Sequence, residues 1–164
     1  MSLTQRDLFE DIDDDTQQSR YLTFGLGEEI FGLDIGCVTE IIGLMPISPL
    51  PEMPTFVRGV INLRGKVIPV MDLRLRFKMP EIEYGERTCI VIIDNGSLHA
   101  GLIVEHVADV VYIDETDIVP PPTFDGLPRN RCVSGIAKSG GSVKMLLDCT
   151  KLLRPEEEEL LIHL

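Results

Sequence analysis

A chain of 164 residues, 44% apolar and 26% charged, is long enough to bury one ordinary core or two very small ones. Its net charge of −12 argues against nonspecific nucleic-acid binding and against an anionic membrane surface, since both would repel most of the molecule. No apolar run approaches the roughly 18 residues of a membrane helix, and the acidic start is unlike a secretory leader, so the reading is a soluble, cytoplasmic protein without direct membrane insertion.

Residues 1–20 carry six acids and little apolar periodicity, too little to offset the entropy of ordering, and are read as a disordered acidic tail. From Tyr21 the texture changes. YLTFGL, a GEE turn and IFGLDI make a hairpin rich in β-branched and aromatic residues. CVTEII follows, then a loop punctuated by Pro46, Pro49, Pro51 and Pro54, which breaks the ladder and forbids a long helix. GVINLRGKVIPVMD reads as strand, RGK turn and strand, with a short helical turn in DLRLRF. These elements form a first β-barrel over 21–77, joined by a polar linker, 78–87, to a second over 88–153. The second opens with TCIVIID, the pair Asn95-Gly96 and SLHAGLIV, read as a hairpin with a type I′ turn. Residues 154–164 read as a C-terminal helix with proline in its first turn and glutamates at its positive end, solvated and fraying.

The two halves repeat. FGLDIGCVTEI (31–41) lies over AGLIVEHVADV (100–110), and GVINLRGKVIPVMDLRLRF (59–77) over GIAKSGGSVKMLLDCTKLL (135–153). Gly32 matches Gly101, Glu40 matches Asp109, Gly59 matches Gly135 and Asp72 matches Asp148. Shared turn glycines and shared acids after a valine point to an internal duplication. Each half offers about five short strands with almost no helical periodicity, the habit of a small bent antiparallel barrel. The fold class is therefore mainly all-β, two five-stranded barrels leaning on one another, with an apolar groove at their junction as the expected ligand or partner site.

Reactive constellations are hard to find. Asp72 and Asp148 precede helix-like turns and are expected to cap them. His99, His106 and His163 lack ligand spacing with cysteine or acid. The NLRGK turn lacks the earlier glycine and the Ser/Thr of a phosphate loop. Cys37, Cys89, Cys132 and Cys149 form no CxxC pair and read as reduced, mostly buried thiols. No enzyme activity, metal or cofactor is expected. A rival reading, a small β-barrel enzyme or ligand binder, would need titratable groups converging on the groove.

One charge feature stands against the acidic background. Arg58, Arg64, Lys66, Arg74, Arg76 and Lys78 crowd the segment 58–78, opposed there by Asp72 alone, a local +5. Such a patch can steer acidic partners and set register. Alternatively, Arg64 pairs with Glu40 and serves its own fold.

GVINLRGKVIPVMDLR, preceded by VTEI and a proline loop ending FVRG and followed by GLIVEHVADV and VSGIAK, resembles the CheW family of bacterial chemotaxis coupling proteins, over about Tyr21 to Leu153. The resemblance implies two SH3-like barrels and a non-enzymatic adaptor, monomeric when free. It would join the cytoplasmic tip of chemoreceptors to the regulatory domain of the histidine kinase CheA, or serve a related pathway such as twitching motility. It also implies that Glu40 and Arg64 fall on the coupling surface, with Val38, Gly59 and Val104 on or beside apolar and glycine positions of receptor or kinase contact.

Overall fold

A computed structural model describes residues 3–4, 18–121, 131–139 and 141–164. The strands are β1 (Leu3–Thr4), β2 (Gln18–Leu26), β3 (Glu29–Asp34), β4 (Val38–Gly43), β5 (Val57–Leu63), β6 (Lys66–Asp72), β7 (Cys89–Asp94), β8 (His99–Val104), β9 (His106–Asp114), β10 (Ile118–Val119), β11 (Val133–Ser139) and β12 (Ser142–Leu147). Two short helices, α1 (Leu73–Arg76) and α2 (Pro155–Ile162), lie among the described residues. Leu3–Thr4 and Gln18–Arg20 are strand, which corrects the expectation of a disordered tail at those positions; residues 5–17 lie outside the described set.

Two curled sheets form. Barrel I runs β1-β4-β7-β8-β6-β5 and barrel II runs β10-β11-β12-β3-β2-β9. Each contains one parallel pair, β6 with β8 and β12 with β3, among antiparallel neighbours. Sequence halves and barrels do not coincide, so the 21–77 and 88–153 boundaries are corrected. Hairpin β2–β3 of the first half completes barrel II, and hairpin β7–β8 of the second completes barrel I.

The duplication survives this exchange in register. Val70 pairs with Gly101 and Leu146 with Gly32, equivalent couples in the two repeats. Both ladders shift at the same place, between Val57 and Gly59 and between Val133 and Gly135. Barrel I closes through Ser48 and Val60, which exchange backbone bonds of 2.8 and 2.9 Å; barrel II closes at the corresponding Val119 and Ile136. Asp72 accepts from Arg74 N and Asp148 from Thr150 N, both at 2.9 Å, the capping foreseen from sequence.

Apolar side chains sort by strand face. Ile90, Ile92, Ile103, Ile61, Ile68 and Val70 fill barrel I. Their alternate neighbours Val91, Ile93, Leu102 and Val104 join Leu22, Phe24, Phe31, Leu33 and Leu147 of barrel II in one cluster between the barrels. Strands buried on both faces read as unbroken apolar runs, which is why CIVIID and GLIV look as they do. Phe24, Phe31 and Phe77 stack through this seam at 5.9 and 5.5 Å. The junction is therefore packed core, not the apolar groove expected.

Two turns also differ from expectation. A type I′ turn forms at Arg64 and Gly65, whose φ values are 51° and 90°, between paired Leu63 and Lys66. Asn95-Gly96 instead lies in a longer loop, where Asn95 Oδ1 accepts from Ser97 N and Leu98 N and only Gly96 has positive φ. Asn95 N still donates to Leu98 O at 3.2 Å, while its side chain takes up the Leu98 amide.

Candidate functional site

The mouth of barrel I gathers the most distinctive polar group. In β4 a bulge separates Val38 from Glu40, and a bulge re-aims side chains. Val38 enters the seam, while Glu40 lines the mouth beside Leu63, Arg64, Ile68 and Ile92. The β5–β6 turn then brings Arg64 over it, linking strands from opposite ends of the sheet order.

Arg64 Nη2 donates to Glu40 Oε1. The pair is lopsided, with the arginine side chain 66% exposed and the glutamate 6%. Glu40 Oε2 is buried and has no partner. The hydrogen bond to the carboxylate raises the Arg64 pKa above its ordinary value, aided by the opposite charge, so the guanidinium stays charged. Gly65 N donates to Asn62 Oδ1 at 2.8 Å, fixing the turn. A cleft of about 410 Å³ opens here, lined also by Thr4, Thr39, Lys66 and His99. Thr39 and Lys66 lie within the VTEI and NLRGK stretches read from sequence, but only barrel closure gathers them with Thr4 and His99.

Of the other residues singled out from sequence, Val38 and Val104 are core, offering no surface to a partner. Gly59 is buried with φ 144°, and a Cβ there would lie 2.1 Å from Ser48 O. It permits the close approach that shuts the barrel. Val38, Gly59 and Val104 are thus packed into the barrels, with Glu40 and Arg64 alone of the five brought together at the mouth.

The basic cluster is also redistributed. Arg58 donates to Tyr84 Oη at 3.0 Å and to Glu81, and these bonds, that to Tyr84 first, raise its pKa. Tyr84 in turn donates to Asp72 Oδ2 at 2.8 Å. Arg74 meets Glu105 at 3.0 Å, and that carboxylate accepts from Gly27 N, stapling the β2–β3 turn of barrel II to α1 of barrel I. Arg76 grips Glu157 at 2.9 and 3.1 Å. With Arg64 on Glu40, four of the six cations are spent on the chain's own carboxylates. Among the described residues, Lys66 and Lys78 form no ion pair. The +5 segment is thus mainly a set of internal staples, not the open patch expected.

A shelf of exposed Val67, Ile162 and Leu164 adjoins the mouth, sharing Lys66, Ile68 and His99 with it. Among the described residues no group of three or more His, Cys, Asp or Glu could hold a metal ion, and no helix is long and apolar enough to cross a membrane.

Comparison with known proteins places this geometry. Residues 20–157 match the model of the CheW-like domain. Chemotaxis protein CheW of Klebsiella aerogenes is 34% identical over 143 residues, 87% of this chain and 86% of its own. Chemotaxis protein CheW of Treponema pallidum is 32% identical, covering 90% and 89%, and protein FrzA of Myxococcus xanthus 30%, covering 84% and 86%. The crystal structure of scaffolding protein TtCheW from Thermoanaerobacter tengcongensis superposes with a TM-score of 0.79 at 36% identity, covering 85% of this chain and 95% of that one. With the match spanning both barrels and both exchanged hairpins, the chain belongs to the CheW-like family.

Proposed function

We propose that the protein is a non-catalytic chemotaxis adaptor in the cytoplasm, which holds chemoreceptor tips beside the regulatory domain of the histidine kinase CheA. The coupling surface is the mouth of barrel I. The observation that carries this assignment is the Glu40–Arg64 pair, an exposed cation laid over a buried carboxylate with one oxygen still unpartnered. That pair coincides with two positions where the sequence resembles the family's coupling surface. Such a mouth offers a partner an exposed guanidinium, held over its buried counter-ion, and the neighbouring apolar shelf.

With the seam filled by packed side chains, a receptor helix is met on the outside of the barrels. Each contact would bury about 800 Å² per partner or less and gain strength by repetition in an array. Titration of the protein against a receptor hairpin and against the kinase regulatory domain tests the proposal. Saturable binding to both is expected, and none to either refutes it. Arg64→Ala is expected to keep the fold and weaken coupling; unchanged kinase control in a reconstituted array would remove Arg64 from the surface.

A further inference from the structure

β1 has no place in the duplicated fold. Matching the repeats strand by strand sets β4, β7, β8, β6 and β5 against β9, β2, β3, β12 and β11, in the same sheet order. Barrel I then carries one strand more on its β4 side. Leu3 pairs with Ile41 and Thr4 with Glu40, antiparallel, on the outer edge of β4. Among the described residues β9, the counterpart of β4, ends its sheet with nothing added. An edge that takes a strand outside the repeat is an edge with accessible ladder groups, open to pairing with an extended segment.

The position of that strand matters. Thr4 pairs with Glu40 and stands in the lining of the same cleft as Arg64. With only two residues in the pairing and Leu3 44% exposed, the added strand has little buried surface to hold it, and strands so sparsely packed open readily. We infer that the outer edge of β4 is a strand-addition site and that the chain's own segment Leu3–Thr4 is its resident occupant, partly covering the Glu40–Arg64 mouth until a partner displaces it. The partner-displacement half rests on the adaptor assignment above; the strand-addition half does not.

The double variant Leu3→Pro/Thr4→Pro in the full chain removes both amide donors of β1. Amide exchange is read at residues 39–42, with β7 as the internal control for folding. Exchange at the β4 amide facing β1 should quicken roughly tenfold or more, with β7 unchanged. A synthetic peptide of residues 1–17 should bind the variant saturably and the parent chain far more weakly. Unchanged exchange, or no peptide binding to the variant, overturns strand addition. The kinase regulatory domain should bind the variant several-fold more tightly than the parent, and equal affinity overturns displacement. If it binds neither, the adaptor assignment falls with displacement, and the exchange and peptide results still decide strand addition.

Discussion

Arg76 and Glu157 form a two-pronged ion pair across 81 positions of sequence, tying α1 to α2. The guanidinium also donates to Leu152 O at 2.8 Å and lies 4.4 Å from the centre of the Phe56 ring. The two side chains are 6% and 16% exposed. Removing one member strands the other, so Arg76→Ala should cost about 3–5 kcal/mol, read as a lower urea midpoint. Glu157→Gln, which keeps an acceptor, should cost less. The C-terminal helix is therefore docked rather than fraying, with Leu161 in the core and Glu158 bonded to Asn95.

Gly59 and Gly135 are equivalent by repeat but not by environment. At Gly59 a Cβ would meet Ser48 backbone at 2.1 Å in a positive-φ conformation, while at Gly135 the nearest atom is a side-chain methyl of Ile118 at 2.7 Å. Backbone cannot yield as a methyl can. Gly59→Ala should destabilise by about 3 kcal/mol or more and Gly135→Ala by about 1–3 kcal/mol, compared by chemical denaturation. Equal losses would refute the asymmetry.

The exchange of hairpins predicts fragment behaviour. Cut within the 78–87 linker, neither half retains all the strands of either barrel. Each fragment alone should lack cooperative unfolding, and an equimolar mixture should recover it, seen by circular dichroism or by dispersed amide resonances. A half that folds alone would refute the interlocked assignment.

Alkaline pH should weaken the fold. Burial is the leading cause that raises the Cys89 and Cys132 thiols above their ordinary 9.0 and the Tyr21 and Tyr84 phenols above 10.0. For a group whose pKa is raised by folding, its stabilising contribution is complete below the unfolded value and disappears as pH climbs through the folded one. Cys149, lowered chiefly by its bond with Cys37, acts in the opposite sense. The net expectation is a urea midpoint that holds to about pH 8 and falls beyond pH 9–10; a midpoint flat to pH 11 would contradict it.

Much of this architecture was legible from residues alone. The strands, the duplication and both aspartate caps follow from local pattern and shared positions, whereas the Arg64–Glu40 pairing stood only as an alternative to partner contact. Long-range choices were not. Nothing in IFGLDI says that its parallel neighbour is SVKMLL, paired with it at a separation of 114 positions, because apolar runs advertise burial and not partner. The basic cluster misled for the same reason, since its carboxylates, Glu40, Glu81, Glu105 and Glu157, lie elsewhere in the chain. The filled seam was hidden too: a strand buried on both faces and one lining a groove look alike in sequence.

The reciprocal loan of hairpins also has a mechanical meaning. Two beads on a string would swivel about their connector, but here each barrel is built around a piece of the other half and shares its seam. Turning one barrel against the other would therefore have to break open that common packing.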